Sequence, residues 1–293
     1  MRILVLGCSG LIGHKLLLKF SERFTDVNGF MRKDRKELSV FPQLNTVNII
    51  DHADVNDTVH LEGILHAIDP DVILNCIGIT KRKIIKEFPL PPIFTNAYFP
   101  HYLSNWARKH NKRVIHFSTD CVFDGKIGDY DETSLTTGED VYGKTKALGE
   151  IRYDHTLTIR SSFIGREIAD FTELLEWFLA QGGKKIKGFT NTLYSGVSTT
   201  YMAKVIGDII TDYPDLNGLY NLAIPEPISK YDLLCLARDA FNIDVDIAKD
   251  DSFSTKPTLN GGKLRAIMNL ETPSWKEMMT GLANEDYYNN IKK

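Results

Sequence analysis

The chain has 293 residues, enough for one large domain or two smaller ones around a substantial core. Its 43% hydrophobic and 25% charged content is that of an ordinary globular protein, and a formal net charge of −3 offers no basic footprint for nucleic acid. Cys8, Cys76, Cys121 and Cys235 stand apart with no C-x-x-C pair, so neither a zinc site nor a disulfide framework is expected, no metal is called for, and a reducing cytoplasm is the expected compartment.

Residues 2–6 read as a buried first strand. A charged start, an apolar run and Cys8 also mimic a lipoprotein leader, but the run is too short for one. No stretch approaches the ~18 apolar residues of a membrane span. Gly7, Gly10 and Gly13 follow in G-x-x-G-x-x-G spacing, and a helical segment spans 14–24. Strand, glycines and helix in that order form a dinucleotide fingerprint: tight turn, close backbone approach to a pyrophosphate, and a helix N-terminus facing it. Gly7, Ser9, Gly10, Leu11, Ile12 and Gly13 are therefore expected to cradle a cofactor.

A second strand spans 26–31 and ends at Arg32 and Lys33. An NAD site usually carries an acid in this region; two cations suit a 2′-phosphate, so NADPH is expected, with NADH the alternative. A solvated basic turn is the plainer reading, because charges continue through Glu37. After a short strand at 48–51, Asp54 can accept from the adenine amino group, with Val55 beside it. An amphipathic helix spans 61–68. A strand over 70–78 enters a small-residue turn, where Cys76, Ile77, Gly78 and Thr80 would run beside the cofactor. Lys81, Arg82 and Lys83 read as a solvated loop, with a substrate diphosphate as the alternative partner. Pro89, Pro91 and Pro92 precede a helix over 94–110 that carries Asn96 near its start.

Residues 113–117 read as another buried strand, with His116 a core residue. Ser118 and Thr119 then lie at its carboxyl end, where open α/β sheets place their ligands. With residues 142–146 as the first turn of a helix, Tyr142 and Lys146 share one face at i and i+4. A phenol with a pKa near ~10 exchanges protons sluggishly at neutral pH, and a neighbouring ammonium lowers that value. The Thr119 hydroxyl would complete a grip on a carbonyl oxygen. A Tyr-x-x-x-Lys pair alone arises often by chance; together with the fingerprint and a strand-end threonine it is specific.

Beyond this, a strand spans 156–160, helices 174–179 and part of 196–212, a strand 218–223, and a helix 229–241. Residues 250–262 read as polar chain, 275–282 as a small helix, and 284–293 as a polar tail with a mobile end. The alternation implies an α/β fold: a doubly wound parallel sheet over 1–161, rejoined by about 193–223, and a smaller α/β lobe from 162–192 and 224–293.

The runs STDCVFDG at 118–125, YDE at 130–132 and YGKTKALGE at 142–150, behind such a fingerprint, resemble the extended short-chain dehydrogenase/reductase family, and within it the dTDP-4-dehydrorhamnose reductases. The resemblance implies that Tyr142 gives the proton to the substrate carbonyl oxygen. It also implies that Lys146 lowers the phenol's pKa and holds the nicotinamide ribose, and that Thr119 bonds the reacting oxygen. NADPH would reduce the 4-keto group of a nucleotide-activated deoxysugar for polysaccharide synthesis, in a cleft between the two lobes. Cys121, Val122 and Phe163 would line the sugar site, and a homodimer would form through helix 94–110 and the helix of Tyr142. This chain departs from the family at Cys121 (Tyr in the reductases), at Phe163 (Trp) and in its basic loop at 81–83 (acidic). Its C-terminal part is the least similar, which leaves the sugar open. Sugar-nucleotide dehydratases place Glu after Thr-Asp, where this chain has Cys121, a poor proton shuttle. A nucleotide-sugar epimerase, or a bifunctional epimerase–reductase, shares Tyr and Lys but holds NAD, against which Arg32 and Lys33 argue. A reading of another class is a non-catalytic, cofactor-binding regulatory subunit like that of methionine adenosyltransferase, which resembles the same family.

Overall fold

The computed structural model describes residues 1–85 and 87–291. β1 (Arg2–Leu6) buries Ile3, Leu4, Val5 and Leu6 completely, the pattern of a central parallel strand covered on both faces. Next come α1 (Leu11–Arg23), β2 (Asp26–Phe30), β3 (Asn48–Ile50), α2 (Thr58–Ile68) and β4 (Val72–Asn75). α3 (Leu90–Pro92) runs through a wider π turn (Ile93–Tyr98) into α4 (Phe99–Lys109). β5 (Arg113–Ser118), α5 (Val141–Leu148), β6 (Thr156–Arg160) and β7 (Phe163–Ile164) follow. Then come α6 (Leu174–Leu179), β8 (Lys185–Tyr194), β9 (Val197–Ser198), α7 (Thr199–Asp212) and β10 (Gly218–Asn221). The chain ends through β11 (Ile228–Ser229), α8 (Lys230–Phe241), β12 (Asp246–Thr255), α9 (Gly262–Met268) and α10 (Trp275–Ala283).

Seven strands form one sheet in the order β10-β6-β5-β4-β1-β2-β3, and every neighbouring pair is parallel. Alternate residues of β1 feed two cores. Ile3 and Val5 join Leu16, Leu17 and Ile206 on the α1–α7 face, while Leu4 and Leu6 join Leu61, Leu65 and Leu103 on the α2–α4 face. This is a doubly wound, Rossmann-type arrangement whose strand order reverses between β1 and β4. A three-stranded sheet, β11-β8-β12, lies apart from it.

Three expectations are refined. The helix placed over 94–110 forms but opens with the π turn: Pro100 has no N–H for the Asn96 carbonyl, and the Phe99 N–H reaches back to the Phe94 carbonyl instead. The polar stretch at 250–262 begins inside β12, which pairs in parallel with β8. Its burial pattern shows why it reads as loop: most of its side chains are exposed, so the partner strand rather than an apolar alternation defines it. The described part of the tail is anchored. Tyr288 is 1% exposed, and Glu285 pairs with the fully buried Lys15 ammonium at 2.7 Å. α1 carries His14 and Lys15 on its inner face, and buried polar groups need partners; Tyr288 and Glu285 supply them. The mobile end expected of the tail, residues 292–293, lies outside the described residues.

Candidate active site

Between β1 and α1 the chain turns at Gly7, where φ is +79°, a conformation glycine adopts without a Cβ penalty. A Cβ on Gly13 would lie 2.1 Å from the Gly7 carbonyl oxygen, so only glycine lets α1 close onto the turn. Gly10 is the N-cap of α1 and has no side chain to cap it, which leaves the first-turn N–H groups for a ligand. Ser9, Gly10, Leu11 and Ile12 line a cleft of about 380 Å³ above this turn. The backbone cradle fits a dinucleotide pyrophosphate.

The same cleft is lined by Cys76, Ile77, Gly78 and Thr80 after β4, Thr119 and Cys121 after β5, Tyr142 and Lys146 on α5, and Phe163 after β6. It opens at the carboxyl ends of the strands, at the switch point, because every strand of the sheet runs the same way. Asn96, buried in the π turn, grips both backbone groups of Ile79 and holds the β4 loop in place.

α5 is seated by contact with the 119–122 turn. A Cβ on Gly143 would lie 2.3 Å from the Cys121 carbonyl oxygen, and Asp140 caps the helix by accepting from the Gly143 N–H at 2.8 Å. Lys146 is buried. It donates to the Phe117 carbonyl at 2.7 Å and lies 3.2 Å from Nε2 of His116, the core histidine. Burial lowers its pKa to about 8, against the pull of Glu150 and Cys76. Tyr142 is half-buried. Burial pushes its phenol above the ordinary value, and Thr119 opposes the shift. The downward pull expected from Lys146 is therefore not the dominant influence on Tyr142; desolvation is. Thr119 donates to Asp120 at 3.0 Å and accepts from the Cys121 N–H at 3.1 Å. Burial raises the Cys121 thiol to about 12, so it stays protonated.

Other sequence-derived candidates lie elsewhere. Val122 is fully buried in a small cluster with Phe123, Tyr130 and Leu259 and does not line the cleft. Its side chain turns inward because 120–122 is a single 3-10 turn, not a continuing strand. Val55 packs in the core with Leu61 and Ile64. Arg32 is 77% exposed, 3.8 Å from Asp54. Lys33 lies 3.3 Å from Glu37 and 3.6 Å from Asp170. Gly7 and Gly13 sit beneath the cleft as the turn that shapes it.

Several lining residues were not among those candidates. Asp120 was within reach of inference as a neighbour of Thr119, and the sequence places Ser118 beside Thr119 at the strand end without a role in the site. Ser161, Ser162, Glu167, Asp170 and Glu173 were not, because they come from the segment after β6 and nothing local marks them. Burial raises the Glu167 carboxyl to about 7. Lys81, Arg82 and Lys83, read as a solvated loop, line the cleft. Lys81 pairs with Asp140 at 2.5 Å, and Lys83 with Asp170 at 2.5 Å.

Comparison with known proteins adds three likenesses. Methionine adenosyltransferase 2 subunit beta of Xenopus tropicalis is 24% identical over 262 residues, covering 83% of this chain and 72% of that protein. A dTDP-4-dehydrorhamnose reductase of Aggregatibacter actinomycetemcomitans is 35% identical over 98 residues, 33% of each chain. The crystal structure of dTDP-4-dehydrorhamnose reductase from Bacillus anthracis, in complex with NADP, shares the fold with a TM-score of 0.79 at 18% identity, over 96% of both chains. The RmlD substrate binding domain family matches residues 1–287, nearly the whole chain, and the protein belongs to that family.

Proposed function

We propose that the protein is an NADPH-dependent reductase of the 4-keto group of a nucleotide-activated deoxysugar. The observation that carries this reading is the lining of one cleft by Thr119, Tyr142, Lys146 and the glycine turn. A dinucleotide held on the glycine turn would supply hydride to the carbonyl carbon. Negative charge then grows on the carbonyl oxygen, and hydroxyl groups positioned there stabilise it. Thr119 holds that oxygen, and Tyr142 donates its proton to it. Lys146, with a pKa of about 8, is mostly an ammonium at neutral pH and holds the nicotinamide ribose. Cys121 and Phe163 face the sugar, between the large sheet and the smaller lobe.

Arg32 and Lys33 read the cofactor's 2′-phosphate in this proposal. A charge-assisted contact contributes roughly 1.5–3 kcal/mol, so replacing both with Ala is expected to lower the NADPH/NADH selectivity about tenfold or more. Unchanged selectivity would remove them from the site. The exposed Ile93 and Tyr98 of the π turn and Leu148 at the end of α5 suit a homodimer through these helices; light scattering at micromolar concentration checks it. Among the described residues no helix is long and apolar enough to cross a membrane. The free thiols favour a reducing cytoplasm.

The reaction is tested with NADPH and a panel of 4-keto sugar nucleotides. Stoichiometric NADPH consumption and a product two hydrogens heavier are expected. Conversion without consumption points to an epimerase. A second reading is favoured by the long match to the methionine adenosyltransferase beta subunit, against the short match to a curated reductase. In that reading the chain binds the dinucleotide and a methionine adenosyltransferase catalytic subunit. Co-purification with that subunit, together with no turnover on the whole panel, would select it.

A further inference from the structure

Asp170 stands between two ammonium groups. One of its oxygens is 3.6 Å from Lys33 Nζ, and the other is 2.5 Å from Lys83 Nζ. The two lysines come from different loops. Lys33 follows β2 and Lys83 follows β4, and these strands flank β1 on either side. The loop after β1 is the glycine turn. A ligand phosphate resting on that turn therefore has a cation on each side. Asp170 arrives from elsewhere, on the segment after β7, and lines the cleft together with Ser9, Gly10, Leu11 and Ile12.

That segment is strained. Asp170 and Phe171 have φ of +66° and +49° in succession, and for a bulky residue such as Phe this is a conformational outlier. The ion pairs opposing the strain are weak, because Lys33, Lys83 and Asp170 are 39%, 52% and 39% exposed and exposed pairs contribute little. A phosphate carries more charge and more acceptor oxygens than one carboxylate, and charge-assisted bonds to it are strong. The arrangement is thus a two-lysine anion seat holding an internal carboxylate that a phosphate can displace.

We propose that Lys33 and Lys83 together seat a phosphate group of the dinucleotide, and that Asp170 is a built-in competitor for that seat which weakens cofactor binding and speeds its release. This rests on the dinucleotide reading of the cleft. Displacing Asp170 frees its segment from Lys33 and Lys83 and lets the Asp170–Phe171 backbone relax.

Isothermal titration with NADPH, NADH and dTDP separates the outcomes without requiring turnover. Asp170→Asn is expected to bind NADPH roughly tenfold more tightly than wild type, with an unchanged melting temperature. Lys83→Ala is expected to bind it roughly tenfold more weakly, and in a Lys33→Ala/Lys83→Ala background Asp170→Asn should have no effect. If NADH affinity stays constant across the series, the phosphate in the seat is the 2′-phosphate; if it moves in parallel, it is the pyrophosphate. Either result supports the seat. An Asp170→Asn variant that binds NADPH no better than wild type overturns the proposal while leaving the cofactor reading intact. So does a series in which only dTDP affinity moves, because the seat then belongs to the substrate. A wild type that binds neither dinucleotide overturns both.

Discussion

The proposed reaction would need a proton on the Tyr142 phenol, and burial in the cleft keeps it there. Tyr142→Phe keeps the ring and removes that proton. Turnover is expected to fall ~10²–10⁴-fold, the range for a lost general acid, with the NADPH dissociation constant unchanged by titration. Lys146→Met is expected to weaken both. Near-full turnover in Tyr142→Phe would move the proton donor elsewhere. His14 makes a second prediction. It is fully buried, and desolvation, aided by Lys15, lowers its pKa to about 3 against the pull of the Gly10 carbonyl. The unfolded chain takes up this proton below about pH 6.5, while the folded chain resists until about 3. The stability is therefore complete above pH 6.5 and is lost as pH falls towards 3. His116, also buried, shifts in the same direction. By pH 5 the His14 share of the loss is roughly 2 kcal/mol. Urea unfolding at pH 7.5 and 5 should show a smaller difference in His14→Leu than in wild type, and an equal difference would rule the histidine out.

At the scale of elements, α5 presents Tyr142 and Lys146, and its far end is tied down by Glu150. Arg160, at the end of β6, forks onto both Glu150 oxygens at 2.8 and 2.7 Å, and Ser118, at the end of β5, donates to one of them at 2.8 Å. Both charges are buried. Removing one partner from such a pair leaves the other charge uncompensated, which costs about 3–5 kcal/mol. Glu150→Ala is expected to lower the unfolding free energy by that amount in urea, while Glu150→Gln, which keeps an acceptor for Ser118, loses less. If Glu150→Ala leaves the unfolding free energy unchanged, the charge pair is not what holds α5. The run of residues ending at Glu150 was legible in the sequence, but its reason was not: Arg160 lies in another strand, and only the pairing of β5 with β6 brings Ser118 and Arg160 together.

At the scale of the whole molecule, the C-terminal tail closes the structure onto the helix that faces the cofactor cradle. Lys15 donates to Glu285, Thr200 on α7 donates to the same oxygen, and Tyr288 lies beneath the Lys15 ammonium at 4.8 Å. Ending the chain at Asn284 would leave Lys15 buried without its counter-charge. By the same 3–5 kcal/mol reasoning, the melting temperature is expected to fall about 6–15 °C by calorimetry. Lys15→Met in the shortened chain should recover part of the loss, because no ammonium then remains to be paired. A shortened chain that melts like the full one would show that the tail is dispensable.

The sequence by itself determined whatever depends on local geometry. Strand burial, the glycine turn and the i, i+4 pairing of Tyr142 with Lys146 follow from backbone periods that neighbouring residues share. Thr119 was legible for the same reason, as a residue at the carboxyl end of an apolar strand. Only the tertiary structure decided which distant segments meet. It turned Val122 into a small core, brought Glu167, Asp170 and Glu173 to the cleft, and set Asp170 between Lys33 and Lys83. It also made a strand of the polar residues in β12 and an anchor of the polar tail. Val122 apart, the deciding contact lies many residues away along the chain, and the side chains involved are polar. A polar residue satisfied by a remote partner looks in sequence like one satisfied by water, so no local pattern separates the two.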